Sequence, residues 1–467
     1  MNKMKRISPT AIAKASRCLH TWYLDNFGDP SQKQPFDEGL KMLMARGLEF
    51  EKEVISTLEG LVEPDWDGKN YKEGTKQTRK LMNEGHPWIY QGVFANDSMV
   101  GFPDLLKKSE GHSALGKFTY VPIDIKGHKS VTKKDKYQLQ GYGRLLKPIL
   151  GHEIEWGGIW LNTGETEDVD LNSFKNDFQV LFQTMQSIRE GKEQTEGFRC
   201  SECGICGWAD FCFEQWKSIH SCCLVYGVTG STAEKYCGAD YRTFEDIAVS
   251  TPEEISERTG QNIDSAKKTH LRARAWAESS PLLIEPVRFP HNIPIHYWDI
   301  ETYGDVTYLH GNIRVYKGKR EVRQFFADSP KDEKKVWYEF LEYLSKDKKA
   351  LVYNWADYER GFATSLWEKY GGNPEGYKHL EDNMHDQCAF VRTHFALPVY
   401  SYSIKTVAPV FGFEWRADDA GGLNSESWYR DWIETADQNI KNKILEYNED
   451  DVIAMEVIDI KLGELFD

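Results

Sequence analysis

The sequence lacks any uninterrupted apolar run long enough to cross a bilayer. Its first six residues lead into a polar, amphipathic stretch rather than the apolar core of a secretory signal. The expectation is a cytoplasmic protein with no membrane association. An excess of positive charge is also missing: 58 Lys and Arg stand against 73 Asp and Glu, a net charge of −15. Such a chain does not coat nucleic acid by bulk electrostatics, although local basic runs can still hold a backbone. Two runs qualify, 126–136 (KGHKSVTKKDK) and 267–274 (KKTHLRAR), and either could equally be a solvated face. Cysteine is sparse outside one stretch. Of nine, Cys200, Cys203, Cys206 and Cys212 crowd together, while Cys18, Cys222, Cys223, Cys237 and Cys388 are scattered. Without an export signal this spacing argues against a disulfide framework and for metal or cluster ligation.

What is present is an ordinary soluble composition, 40% apolar and 28% charged, over 467 residues. That length exceeds a single core, so about two to four domains are expected. Periodicity predicts helices over 1–24, 40–58 and 71–84, then strands over 88–93, 98–106 and 118–125. A helix over 134–146, a strand over 155–162 and a helix over 172–190 follow. This succession fits a mixed α/β core. Short-turned helical segments fill 225–280. A Pro-rich linker over 280–295 leads to a new domain, which opens on IHYWDIET and closes with an amphipathic helix over 439–465.

Within the first core, VPIDIK places Asp124 and Lys126 two apart, hence on one strand face. Asp104 ends a neighbouring apolar run and can join them. Two carboxylates beside a lysine suit a hard divalent cation such as Mg²⁺, which can activate water and stabilise charge on a phosphate. A helix follows with Gln138 and Tyr142 one turn apart. With Arg46-Gly47 and Glu51 on the second helix, these residues resemble, in family order, the RecB-like nucleases of the PD-(D/E)xK superfamily. The likeness is to the CRISPR-associated iron–sulfur exonucleases and to longer RecB-like chains. The resemblance covers 1–216 and implies a restriction-endonuclease-like α/β core. It implies that Asp104 and Asp124 hold Mg²⁺ or Mn²⁺, that Lys126 positions the attacking water, and that Gln138 and Tyr142 face the scissile strand. Relatives often carry a His in the first motif; here Phe50 and Glu51 stand there, so Glu51, or else Glu49, is the candidate replacement. Cys18 with Cys203, Cys206 and Cys212 matches the pattern that holds a [4Fe–4S] cluster in such nucleases, with Cys200 able to replace any of them. A structural Zn²⁺ held by Cys200, Cys203, Cys206 and Cys212 is the alternative. Cys222, Cys223, Cys237 and Cys388 are read as reduced core thiols.

The segment 217–280 is similar to helix-hairpin-helix repeats, one near Val225–Gly230 and one near Thr259–Ile263, with Lys267, Lys268, Arg272 and Arg274 behind the second. Such a module grips phosphates through backbone N–H groups at helix starts. In the last region, 281–467, Asp299 and Glu301 share a strand face, and Tyr447 and Asp451 share a helix face. These motifs resemble the RNase H-like fold of the DEDD exonucleases in their tyrosine variety. The resemblance implies four carboxylates holding two metals and Tyr447 orienting the water. Asp357 and Glu359 both offer the second-motif acid, Glu359 matching better. Asp386 lies near, and Asp450 duplicates Asp451. The combined expectation is an α/β multidomain, metal-dependent nuclease acting on nucleic acid, DNA rather than RNA, in exonuclease fashion. The alternative is a non-catalytic DNA-binding or adaptor protein on degenerate nuclease folds.

Overall fold

Two sheets carry the two acid-bearing strands. The computed structural model describes residues 5–36, 38–290, 292–347, 349–417 and 422–467. The chain divides into two units, one of Met1–Phe36 and Leu40–Phe213, the other of Asp37–Gly39 and Glu214–Asp467.

In the first unit, β1 (Leu61–Val62), β2 (Trp88–Tyr90), β3 (Leu105–Ser113), β4 (Gly116–Lys126), β5 (Trp156–Leu161) and β6 (Thr166–Asp170) lie in that order in one sheet. The β1–β2 and β4–β5 pairs are parallel and the others antiparallel. Alternate side chains of β3 and β4 enter two cores. Leu105, Val121, Ile123 and Ile125 meet Val54 of the helix Glu38–Ser56. Leu106 and Tyr120 join the larger core with the helices Pro9–Ala15, Lys133–Leu150 and Lys175–Arg189. Asp124 falls on this second side, toward Lys133–Leu150, because the pleat alternates.

Two expected elements are broken. The helix over 1–24 is two helices, Pro9–Ala15 and Leu19–Phe27, with Cys18 in extended conformation between them as N-cap of the second; residues 1–4 lie outside the described residues. The strand expected over 98–106 is also split. Val100–Gly101 pairs with Phe94–Ala95, while Leu105 starts β3, so Asp104 occupies the joint between two pairings.

The second unit begins with the helices Ser231–Gly238, Phe244–Val249, Pro252–Thr259 and Ile263–Glu278. Capping boxes at Thr243/Asp246 and Thr251/Glu254 start the middle two. Gly260, with φ +71°, and Asn262 turn the chain between the last two. A five-stranded sheet follows, in the order β9-β8-β7-β10-β11: β7 (Ile295–Tyr303), β8 (Val306–Tyr316), β9 (Lys319–Phe326), β10 (Leu351–Asn354) and β11 (Met384–Asp386). The β7–β8 and β8–β9 pairs are antiparallel, and β7–β10 and β10–β11 parallel. The helix Gln438–Phe466 packs on β7 and β8.

Candidate functional site

In the second unit, the strand period sets Asp299 and Glu301 on the face of β7 that meets the helix Gln438–Phe466. One ligand atom from each of Asp299, Glu301 and Asp451 lies within 4.8 Å of the others, with Glu301 and Asp451 buried. Burial, then the charges of Asp451 and Glu301, hold the Asp299 carboxyl well above the usual range. Burial and then Asp451 push Glu301 up to about 8. Burial pushes Glu359 up to about 7, and its charge also reaches Asp299 and Glu301. Crowded, desolvated carboxylates of this kind call for a divalent cation, and their oxygens are the donors Mg²⁺ and Mn²⁺ prefer.

Both near-duplicate acids are separated by their surroundings. Asp357 stands at the N-cap position of the helix Tyr358–Tyr370 without capping it, its side chain 77% exposed and 3.5 Å from Arg360 Nε, outside the carboxylate group. Glu359, within the first turn, is buried and accepts from Asn354 Nδ2 at 3.1 Å. Asp386 accepts from the backbone N–H of Ala356 and Ala389. Asp450 is taken by Arg416, through its backbone N–H at 2.9 Å and Nε at 2.7 Å. Asp451 turns toward Asp299. Tyr447 hydrogen-bonds Asp451, and burial, then the neighbouring acids, keep its phenol protonated.

Four site residues were missed in the sequence. Lys405 Nζ donates to Asp451 Oδ1 at 2.6 Å and lies 4.0 Å over the Trp415 ring and 4.3 Å over the Tyr447 ring. Trp415 Nε1 donates to the same oxygen at 2.7 Å. Asn448 Nδ2 donates to Asp299 Oδ2 at 2.8 Å, and Asn448 Oδ1 accepts from Gln324. Gly311, cross-strand from Asp299, leaves the space that Asn448 fills; a Cβ there would come within 1.8 Å of Asn448 Oδ1. The adjacency of Asn448 to Tyr447 was the one available hint.

In the first unit, Asp104, Asp124, Lys126, Gln138 and Tyr142 converge. Asp104 Oδ2 accepts from Ile125 N–H at 2.8 Å. Lys126 Nζ is 2.5 Å from Asp124 Oδ2 and 3.3 Å from Gln138 Oε1. Gln138 Nε2 donates to Tyr142 Oη at 3.1 Å, and Tyr142 donates to the Phe102 carbonyl at 3.0 Å. Asp124 is fully buried and its Oδ1 has no hydrogen-bond partner, an unmet acceptor of the kind a cation satisfies. Burial, then the Asp124 charge, raise Asp104 well above the carboxylate range. Burial works against the Lys126 ammonium, but the charges of Asp124 and Asp104 outweigh it and lift its pKa. Glu51 adjoins this group: one of its oxygens accepts from Tyr90 Oη and Gln91 Nε2, both at 3.0 Å, and its charge reaches Tyr142 together with those of Asp124 and Asp104. Glu49 is exposed.

Five thiols approach one another in the same unit. Cys18 hydrogen-bonds Cys200, which hydrogen-bonds Cys203. Burial, then the influence of Cys18, Cys206 and Cys200, pushes the Cys212 thiol up to about 12. Their sulfurs do not meet the 4.8 Å mutual spacing of the three carboxylates. Among the described residues no disulfide joins the cysteines; Cys222 Sγ lies 3.8 Å from Cys237 Sγ, and Cys388 donates to the Tyr402 carbonyl.

Residues 296–462 match the RNase H superfamily model, so the second unit contains a domain of that superfamily. No curated protein matches the chain. Among the described residues no helix is long and apolar enough to cross a membrane.

Proposed function

We propose that the chain is a metal-dependent nuclease whose principal centre is Asp299, Glu301, Glu359 and Asp451, with Tyr447 beside them. The observation that carries this is the group of three carboxylates within 4.8 Å inside the RNase H superfamily domain. A pair of divalent cations would supply water activation and charge neutralisation at the scissile phosphate. The protein's own part is to fix the acceptors. Asn448 orients Asp299, Lys405 and Trp415 orient Asp451, and the protonated Tyr447 offers a hydroxyl donor to a nucleophile or phosphate oxygen. The favoured substrate is DNA, degraded from an end.

The Asp104–Asp124–Lys126 centre is a second nuclease site of RecB-like type, supported by the unpartnered Asp124 oxygen. Here Lys126 steadies developing phosphate charge, and Gln138 and Tyr142 brace the lysine and the Phe102 loop. Cys18, Cys203, Cys206 and Cys212, with Cys200 as fifth thiol, hold a [4Fe–4S] cluster. The helices around Gly227–Gly230 and Gly260–Asn262 act as a phosphate-gripping hairpin module. Arg272 takes no part in that grip. It is buried over the Tyr226 ring at 4.7 Å.

End-labelled single- and double-stranded DNA and RNA with Mg²⁺ or Mn²⁺ test the proposal. Cleavage is expected, reduced in part by Asp299→Ala and in part by Asp124→Ala. Wild-type protein that cleaves none of the four substrates would be an adaptor, and the enzymatic assignment would fall.

A further inference from the structure

The basic runs visible in the sequence are largely engaged within the fold. Lys126 holds Asp124, Lys134 pairs with Glu202 at 3.1 Å, Arg272 lies over the Tyr226 ring, and Arg274 pairs with Glu278 at 2.6 Å. A different cationic surface is built by residues that are not contiguous. The helix Tyr71–Glu84 is anchored by buried Gly74, Thr78 and Met82. Lys72, Lys76, Arg79 and Lys80 are exposed on it. The four-residue spacing aligns Lys72, Lys76 and Lys80, with Arg79 alongside. Together with Arg6 they line an open cleft of about 1150 Å³, where five cations meet the three carboxylates Glu73, Glu84 and Asp97. The pairs Lys76–Glu73 at 3.5 Å and Lys80–Glu84 at 3.9 Å are long and solvent-exposed, hence weak. Lys72 and Arg79 form no ion pair among the described residues. In a chain of net charge −15, a local positive excess is not a consequence of composition.

Three part-exposed aromatic rings stand at the head of this face. Trp66 and Phe102 are nearly parallel, 6.0 Å apart at 17°. Tyr71, the first residue of the helix, lies 5.8 Å from Trp66 and 6.0 Å from Phe102, and the Arg6 guanidinium is 5.8 Å from the Tyr71 ring. Phe102 belongs to the loop of the first carboxylate pair: its carbonyl holds Tyr142, and Asp104 is two residues on. The aromatic group therefore joins that loop to the cationic helix face.

We propose that Trp66, Tyr71 and Phe102 with Lys72, Lys76, Arg79 and Lys80 form a track for single-stranded nucleic acid that feeds the Asp104–Asp124 centre. The proposal rests on the nuclease reading of that centre. Unpaired bases stack on exposed rings whatever their identity, and spaced cations hold successive phosphates without reading sequence. From Lys72 to Lys80 the helix rises about 12 Å, enough for a few nucleotides. A duplex keeps its base faces covered and gains only the phosphate contacts.

The test is fluorescence anisotropy of the full chain with a labelled oligothymidylate of about twenty nucleotides and with a blunt duplex, in chelator so that neither strand is cut. Changing Lys72, Lys76, Arg79 and Lys80 to Glu should weaken single-strand binding at least tenfold. It should also lower the slope of log affinity against log salt by about 3, at about 0.7 per lost contact. Trp66→Ala should weaken single-strand binding several-fold and leave the duplex unchanged. An iodouridine strand should photocrosslink to peptides carrying Trp66, Tyr71 or Phe102. Unchanged affinity and slope in the charge-reversed protein, with wild-type circular dichroism, would overturn the proposal. So would equal losses for strand and duplex in Trp66→Ala, or crosslinks confined to other peptides, and these two arms decide the matter if the charge-reversed protein does not fold. If the wild type binds through this face but Asp124→Ala cleaves as well as wild type, the nuclease reading of the first centre fails while the track stands.

Discussion

Asp451 illustrates how a single carboxylate is held ready in a crowded acid group. Burial raises its pKa, and the Lys405 ammonium opposes that rise. Replacing Lys405 with Met also removes a donor that orients the Asp451 carboxylate, so cleavage should fall about ten- to a hundredfold, the usual loss for a group that orients a metal ligand, as read from initial rates at saturating Mn²⁺ and fixed pH. Gly311 makes a second case. In Gly311→Ala the new methyl would occupy the place of the Asn448 amide, and Asp299 would lose its donor. Loss of a group that orients a metal ligand costs about ten- to a hundredfold in activity or metal affinity. Asn448→Ala should show the same loss, and the double variant no more than either alone, because both substitutions delete one interaction. Additive losses in that cycle would show that Gly311 acts by another route.

At the scale of elements, breaks and starts place the chemistry. The first helix ends before Cys18, and that interruption lets the thiol reach Cys200. Cys18→Ser should lower iron content and melting temperature, whereas Cys222→Ser, in the other unit, should leave iron content unchanged; elemental analysis and thermal melts of both proteins check this. The start of the helix Tyr358–Tyr370 decides between two acids, since its N-cap residue Asp357 faces solvent and Glu359 faces inward. One turn of the helix Gln438–Phe466 delivers Tyr447, Asn448 and Asp451 together, because residues four apart share a face.

For the molecule as a whole, the acids set the response to pH and metal. Glu301 and Glu359 have folded pKa values raised to about 8 and about 7, above the ordinary 4.5. A raised carboxyl pKa means that the metal-free folded state binds more protons than the unfolded chain. Their contribution to stability is therefore complete below about pH 4.5 and is lost as pH rises toward 8. Metal-free protein should melt at a lower temperature at pH 8 than at pH 5.5. Mg²⁺ or Mn²⁺ should raise the melting temperature more at pH 8, where the acids must otherwise stand ionised and unpaired. Calorimetry at both pH values, with and without metal, checks the sign; a larger metal effect at pH 5.5 would contradict it.

The sequence by itself determined which acids share a face. Asp299 with Glu301, Asp124 with Lys126, and Tyr447 with Asp451 follow from the periods of strand and helix, which are local properties of the chain. It equally determined that one stretch is dense in thiols. The motif already favoured Glu359 over Asp357, and the four-residue spacing to Tyr447 favoured Asp451 over Asp450; only the tertiary structure gave the members of each pair different surroundings, with Asp357 exposed and Arg416 on Asp450. It alone brought Lys405, Trp415 and Gly311 to the acids, and gathered Arg6, Trp66 and Phe102 around the helix of Lys72 and Arg79. Those meetings depend on contacts between segments far apart in the chain, which no local period encodes.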